Sequence, residues 1–386
     1  MLVTGVRTYL VVMLVLLANL VHGAGVIELP QEETATIRRG IDLLYDLDYQ
    51  AALTNFSALL PKWKDHPAPW FFTAMVWWIK CSQYDDEERS GAYFSRAIRL
   101  AISKSRSLLE NDPANPAGIF YLAGSLGFSG RFSLMQGSLV PAVTTGWEAY
   151  RLLQTHTNAF RNNRDILLGT GLFNFYAGRI PKEARAIASM LGIRGNWQLG
   201  VSQLEEVSRL GIFAKTEAEM ALAHIHTYDL RDGYSGLRYT QALMERYPHN
   251  PEFRLQYAEN LLATGQSGKA IETVTKGLEL TTSGWYRPTH RFRFICLMGK
   301  IHHTAVRYHE TLDWLNKAIA MKDQANRGNF LAWAYVRRGD ALVHLGNRTF
   351  GLRDYHTAIE LDPAGSAGEA AQQRIKTANS TRDTRY

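Results

Sequence analysis

Apolar side chains recur every third or fourth position along almost the whole chain, and sustained alternation of period two is absent. That pattern predicts helices and no strand run. "IRRGIDLLYDLDYQAALTNFSALL" at 37–60 reads as an amphipathic helical hairpin and "PAPWFFTAMVWWIKCSQY" at 67–84 as an aromatic helix led by prolines. "AIRLAISKSRSLLENDPANP" at 97–116 reads as a helix closed by a proline stop.

The helical pattern repeats. Residues 332–365 form its clearest unit: Gly339, Leu342, Gly351, Tyr355, Ala358 and Pro363 outline a helix, a short turn, a second helix and a proline stop. Small residues stand where two helices cross closely, and larger ones fill the groove beside them. The same offsets give Gly299, His302, Thr311, Leu315, Ala318 and Asp323, then Ala258, Leu261, Ala270, Val274, Gly277 and Thr282. A weaker unit at 217–250 ends at Pro248, and Gly40, Leu43, Ala52, Phe56 and Leu59 carry the pattern near the start. These units resemble the tetratricopeptide repeat, a family of 34-residue helical hairpins. The surplus over that period falls at "SGWYRPTHR" and "DQANRGN", between hairpins, where longer loops cost little.

Residues 117–215 depart from the simple repeat. Asp165, then Gly169, Gly171, Phe173 and Tyr176, then Pro181, Leu191, Gly192, Gly195 and Gly200 form a glycine and aromatic pattern. It resembles exported bacterial repeat proteins distantly similar to the tetratricopeptide repeat protein 39 family, over roughly residues 90–285. The resemblance implies an all-α solenoid adaptor with a divergent middle segment and no established catalytic chemistry.

At 46% hydrophobic and 20% charged residues the composition is that of a globular chain rather than a disordered one. The formal charge of +7 is spread without a polybasic block, so nucleic acid is not an expected partner. "MLVTGVRTYLVVMLVLLANLVHGAG" places Arg7 before an apolar run from Tyr9 to Val21, with small residues suited to cleavage after Gly23. It reads as a secretory signal peptide; an uncleaved N-terminal anchor is the alternative. The expected organisation is a signal at 1–23, hairpins at 24–116, the divergent segment at 117–215, a repeat array at 216–365 and a polar, flexible tail at 366–386. The expected location is periplasmic or secreted, with no stable membrane span after cleavage. Cys81 and Cys296 sit in apolar helical runs, as buried thiols do, and a bridge between them is not expected.

Candidate chemistry is sparse. "FYLAGSLGFSGRFSLMQGSL" at 120–139 spaces Gly124, Gly127 and Gly130 like a phosphate loop, but lacks the Lys-Ser/Thr pair of a Walker motif and follows no strand. The better reading makes Gly124 a helix crossing, with Gly127 and Gly130 ending the helix before an insertion at 124–146. His224 and His226, like the adjacent His302 and His303, diverge on a helix and do not form a zinc pair. No G-x-S-x-G occurs, and the acidic "YDDEER" at 84–89 reads as a solvated turn. No catalytic residue, metal or cofactor is expected.

The repeat phase places the first helices of successive hairpins on one face. Tyr228, Asp229, Glu252, Glu259, Arg293, Lys300, His303, Trp333, Asp340 and His344 fall there. Arg293, Lys300 and His303 share a stripe that would suit a peptide carboxylate or an acidic segment; ordinary solvated surface is the competing reading. The asparagines of the known tetratricopeptide carboxylate clamp are absent from matching positions. Most tryptophans read as packing residues, with Trp285 and Tyr286 as an exposed loop pair. The expected function is a non-catalytic scaffold for a protein or peptide partner in the cell envelope or outside the cell. The alternative is a small-molecule or glycan-binding protein with a pocket at the middle segment.

Overall fold

A computed structural model describes residues 30–82, 87–155, 163–179, 195–322 and 330–383. The expected signal at 1–23, the first half of the acidic cluster, the motif residues Pro181, Leu191 and Gly192, and residues 323–329 lie outside the described residues. The described residues form helices and no strand, arranged as successive helical hairpins. They divide into two compact units, one through His224 and one from Ile225. The expected boundary at 215/216 lies in the first turn of a helix, Lys215–His224.

In the first unit, α1 (Gln31–Tyr45) and α2 (Tyr49–Ser57) form a hairpin, followed by the short α3 (Leu60–Trp63) and by α4 (Ala68–Ser82) and α5 (Glu87–Asn111). Next come α6 (Pro116–Met135) and α7 (Leu139–Thr155), a 3-10 turn at Arg164–Ile166, then α8 (Leu167–Gly178), α9 (Trp197–Leu210) and α10 (Lys215–His224). The second unit opens on a π-helical turn, Ile225–Asp229. It continues as α11 (Gly233–Arg246), α12 (Pro251–Ala263), α13 (Ser267–Thr282), α14 (Pro288–Thr304), α15 (Tyr308–Ala320), α16 (Phe330–His344), α17 (Arg348–Leu361) and α18 (Ser366–Asp383).

The small residues of the repeat do what their spacing predicts. A Cβ on Gly40 would lie 2.3 Å from the Phe56 ring, one on Gly299 2.3 Å from Leu315, and one on Gly339 2.7 Å from Tyr355. Each partner stands sixteen residues on, in the second helix of the hairpin, and is buried. Burying a side chain of that size contributes about 1.5–3 kcal/mol, so the missing Cβ is what lets the pair close. The motif glycines of the middle segment serve an even closer crossing. Cβ atoms on Gly200 and Gly195 would meet backbone, at 2.4 Å from Phe175 N and 2.3 Å from Gly178 N. Here α8 and α9 touch main chain to main chain.

Hairpin turns share one device, a residue in the left-handed region: Leu47 (φ 65°), Gly137 (77°), Gly265 (77°), Val306 (59°) and Gly346 (85°). Glycine adopts that conformation freely, and valine does not.

Three expectations change. Gly127 and Gly130 do not end a helix: α6 runs on to Met135 and the chain turns at Gly137. The close crossing with α7 is at Gly130, where a Cβ would lie 2.9 Å from Thr145 Oγ1, and the surplus length is helix rather than inserted loop. The tail is helical over Ser366–Asp383, because Ala367 and Ala371 find an apolar seat against Val336 and Tyr355. Of the expected exposed pair, Trp285 is exposed and stacks on His249 at 4.6 Å. Tyr286 is buried, its hydroxyl donating to Pro248 O at 2.8 Å.

Candidate functional site

Within the second unit the first helices pack on one another in series, α12 on α14, α14 on α16 and α16 on α18. The side chains they turn to one face are set by helical spacing. Glu252, Gln256 and Glu259 come from α12, Arg293, Lys300 and His303 from α14, and Trp333, Arg337, Asp340 and His344 from α16.

The expected site residues meet across the helices as a ladder of ion pairs. Arg293 pairs with Glu252, and Lys300 Nζ stands 2.9 Å from Glu259 Oε1. Tyr228, from the π-helical turn, donates its hydroxyl to the other oxygen of Glu259. His303 Nε2 lies 3.1 Å from Asp340 Oδ2. Asp340 also accepts from the Tyr355 hydroxyl at 2.8 Å and from the Arg374 guanidinium of α18. Burial pushes the Asp340 carboxyl up, but hydrogen bonds from His303 and Arg374 outweigh it and hold the group below the usual range. His344 Nδ1 donates to Asp340 O at 2.8 Å and its ring stacks on Tyr308 at 4.6 Å. Trp333 Nε1 donates to Ser366 Oγ at 3.3 Å. The cationic stripe expected on α14 therefore arrives already faced by carboxylates of its neighbours.

The group left over is one that repeat phase did not single out. Arg337 stacks its guanidinium over Trp333, 4.8 Å from the ring centroid, and has no carboxylate within ion-pairing reach among the described residues. Burial pushes it down to about 10, which leaves it charged at neutral pH. Its neighbour Arg338 points the other way, bidentate to Asp354 at 2.7 Å. On the same face Gln256 Oε1 is buried with no donor among the described residues. The signal was present in the spacing of Trp333, Arg337, Asp340 and His344, which is one helical stripe.

The first unit holds a different kind of space, a cavity of about 180 Å³. One stripe of α6 lines it: Phe120, Ala123, Gly124, Gly127, Phe128 and Arg131. Phe71, Phe72 and Met75 of α4 and Leu168 and Leu172 of α8 close other sides. A Cβ on Gly124 would stand 3.1 Å from Phe71, whereas Gly127 and Gly169 face nothing within 4 Å. The two glycines of the "GTG" motif thus divide their work: Gly169 opens on the cavity and Gly171 lies against Leu204 of α9.

Two carboxylates at the edge of the cavity are already engaged. Glu217 accepts from the Tyr45 hydroxyl. Asp165 accepts backbone N–H groups from Ile212, Phe213 and Ala214 at 2.8, 3.1 and 3.1 Å, tying down the loop that leads into α10. Burial still raises its pKa against those three bonds. The aspartate that opens the middle-segment pattern is therefore a loop anchor. Cys81 and Cys296 are both buried, and neither is in a disulfide.

No family model and no curated protein matches the chain. Among solved structures it is similar to the tetratricopeptide domain of P58(IPK), at 14% identity and a TM-score of 0.28, covering 89% of this chain and 98% of that one. It is also similar to the APC/C hetero-tetramer Cut9–Hcn1, at 11% identity and a TM-score of 0.21, covering 94% of this chain and 90% of that one.

Proposed function

We propose that the chain is a non-catalytic helical-repeat adaptor, exported from the cytoplasm, whose second unit binds an acidic segment of a protein partner along the face from Glu252 to His344. Arg337 carries this reading. It is a charged guanidinium held on Trp333 with no carboxylate within ion-pairing reach among the described residues, Glu259 and Asp340 acting on it only from farther off, in a row where Arg293, Lys300 and Arg374 each have a direct partner. A partly buried, unpaired cation costs stability that a partner's carboxylate would recover. Gln256 Oε1 adds an unused acceptor suited to a peptide N–H. Export is supported by Arg7 and the apolar run from Tyr9 to Val21. No helix among the described residues is long and apolar enough to cross a membrane.

The test is a titration of the chain into a fluorescein-labelled acidic peptide with a free C-terminal carboxylate, against an amide-capped counterpart with Gln and Asn in place of the acids. The acidic peptide should bind preferentially and more weakly as salt rises. Arg337→Gln should weaken it by about tenfold, a difference of about 1.4 kcal/mol. Equal binding of both peptides, or an unchanged affinity in Arg337→Gln, refutes the assignment.

The alternative, a ligand pocket at the middle segment, is favoured by one observation, the cavity against α6. Its lining is almost wholly apolar, which suits a hydrocarbon group and offers a glycan's hydroxyls few partners.

A further inference from the structure

The cavity of the first unit is a built space. Six residues of α6 face it at a strict helical stripe, and the two that would fill it are glycines: Gly127 on α6 and Gly169 on α8 each look into open space. Glycine inside a helix costs roughly 0.5–1 kcal/mol relative to alanine, so leaving these positions without side chains is not neutral for stability. Aromatic rings surround the opening they leave, with Phe71 and Phe128 at 5.9 Å and Phe71 and Phe72 at 5.3 Å between centroids.

The polar groups on the lining are few, and their states differ. Glu217 is engaged by Tyr45 and Asp165 by three backbone N–H groups. Arg131, at the end of the α6 stripe, has no carboxylate within ion-pairing reach among the described residues. Its guanidinium rests on Trp78 and Phe128, at 5.0 and 5.3 Å from the ring centroids. An apolar cavity with one unneutralised cation on its wall complements an amphiphile with a hydrocarbon body and an anionic head. Its size sets the body. An apolar cavity of about 150 Å³ accepts benzene, with six carbons, so about 180 Å³ suits a chain of roughly seven.

We propose that the first unit binds a medium-chain alkyl carboxylate, its chain lying along Gly124, Gly127 and Gly169 and its carboxylate on Arg131. The site is separate from the peptide-binding face proposed above, and each stands or falls without the other.

Calorimetric titration of the full chain with hexanoate, octanoate, decanoate and octanol, all below their micellar concentrations, tests it. Each methylene gained inside the cavity is worth about 0.8 kcal/mol, or about fourfold in affinity, so octanoate should bind about fifteenfold more tightly than hexanoate. Decanoate should gain little more, because the space is filled. Gly127→Leu should abolish binding while circular dichroism and melting temperature show an intact fold. Should that variant fail to fold, Gly169→Leu closes the same space from α8. Arg131→Gln should weaken octanoate by about tenfold and leave octanol unchanged. No octanoate binding, or binding that survives both glycine variants, overturns the site. Octanoate binding that is indifferent to Arg131→Gln overturns the assignment of the head group.

Discussion

Lys300 Nζ stands 2.9 Å from Glu259 Oε1, and the same carboxylate takes the Tyr228 hydroxyl on its other oxygen. One acid on α12 thus serves two donors from two other elements. Glu259→Gln should therefore destabilise the second unit more than Lys300→Gln, because it disturbs both. A double-mutant cycle on the pair should give a coupling of about 1 kcal/mol that shrinks in high salt. Urea denaturation of the four proteins measures it; equal single-mutant costs would show that Tyr228 adds nothing.

Val306 occupies the turn between α14 and α15 at φ 59° and is 65% exposed. The left-handed region costs such a residue about 1–2 kcal/mol, while glycine's added freedom in the unfolded chain returns about 0.4–1 kcal/mol. Val306→Gly should raise stability by about 0.5–1 kcal/mol, seen as a higher urea midpoint at unchanged slope.

Gly200 has the opposite prognosis. Its absent Cβ would stand 2.4 Å from Phe175 N and 2.6 Å from Gly171 O, with backbone on both sides. Gly200→Ala should cost about 3 kcal/mol, whereas Gly268→Ala on α13, with nothing within 4 Å, should stabilise by up to about 1 kcal/mol. Melting temperatures of the two variants should move in opposite directions.

His66 precedes α4 with its Nδ1 accepting from Ala68 N at 3.2 Å and its ring against Trp63 at 4.6 Å. Burial pushes it down to about 4, so the fold holds it neutral. Its stabilising effect is complete above the ordinary histidine value of 6.5 and is lost as pH falls from there towards 4, by about 3 kcal/mol. His66→Asn keeps an acceptor for Ala68 and cannot take the proton. The wild type should lose about 3 kcal/mol more than this variant between pH 7 and pH 4.

Cys296 is 5% exposed and burial raises its thiol to about 12; Cys81 is 1% exposed. Neither should react with an aromatic disulfide reagent in the native chain, and both should react on unfolding. Fast release of one equivalent from the native protein would place a thiol at the surface.

The hairpin crossings were legible in the sequence, because Gly40, Gly299 and Gly339 carry their information in a small residue and a large partner at constant separation. Gly127 and Gly130 were not. Glycine marks a helix end and a close approach alike, and α6 is apolar on most of its circumference, so no polar face shows which side each one serves. Spacing alone puts Arg293, Lys300 and His303 on one stripe of α14, but it does not name their partners Glu252, Glu259 and Asp340, which depend on the stagger between hairpins rather than on spacing within one. Arg337 was hidden by its neighbour: of two adjacent arginines only one can face inward along the stripe, and the other, Arg338, is held by Asp354.

The helix α18 has a bearing on solubility. A hairpin stack presents at each end the kind of surface on which the next hairpin would sit, and identical molecules meeting by such surfaces form filaments. α18 covers Val336 and Tyr355 with Ala367 and Ala371, and sends Arg374 to Asp340. The described residues it leaves exposed include Glu369, Gln372, Gln373 and Lys376, a polar face poorly suited to seating another copy. The helix that follows the last hairpin thus also disfavours growth by head-to-tail addition on that surface.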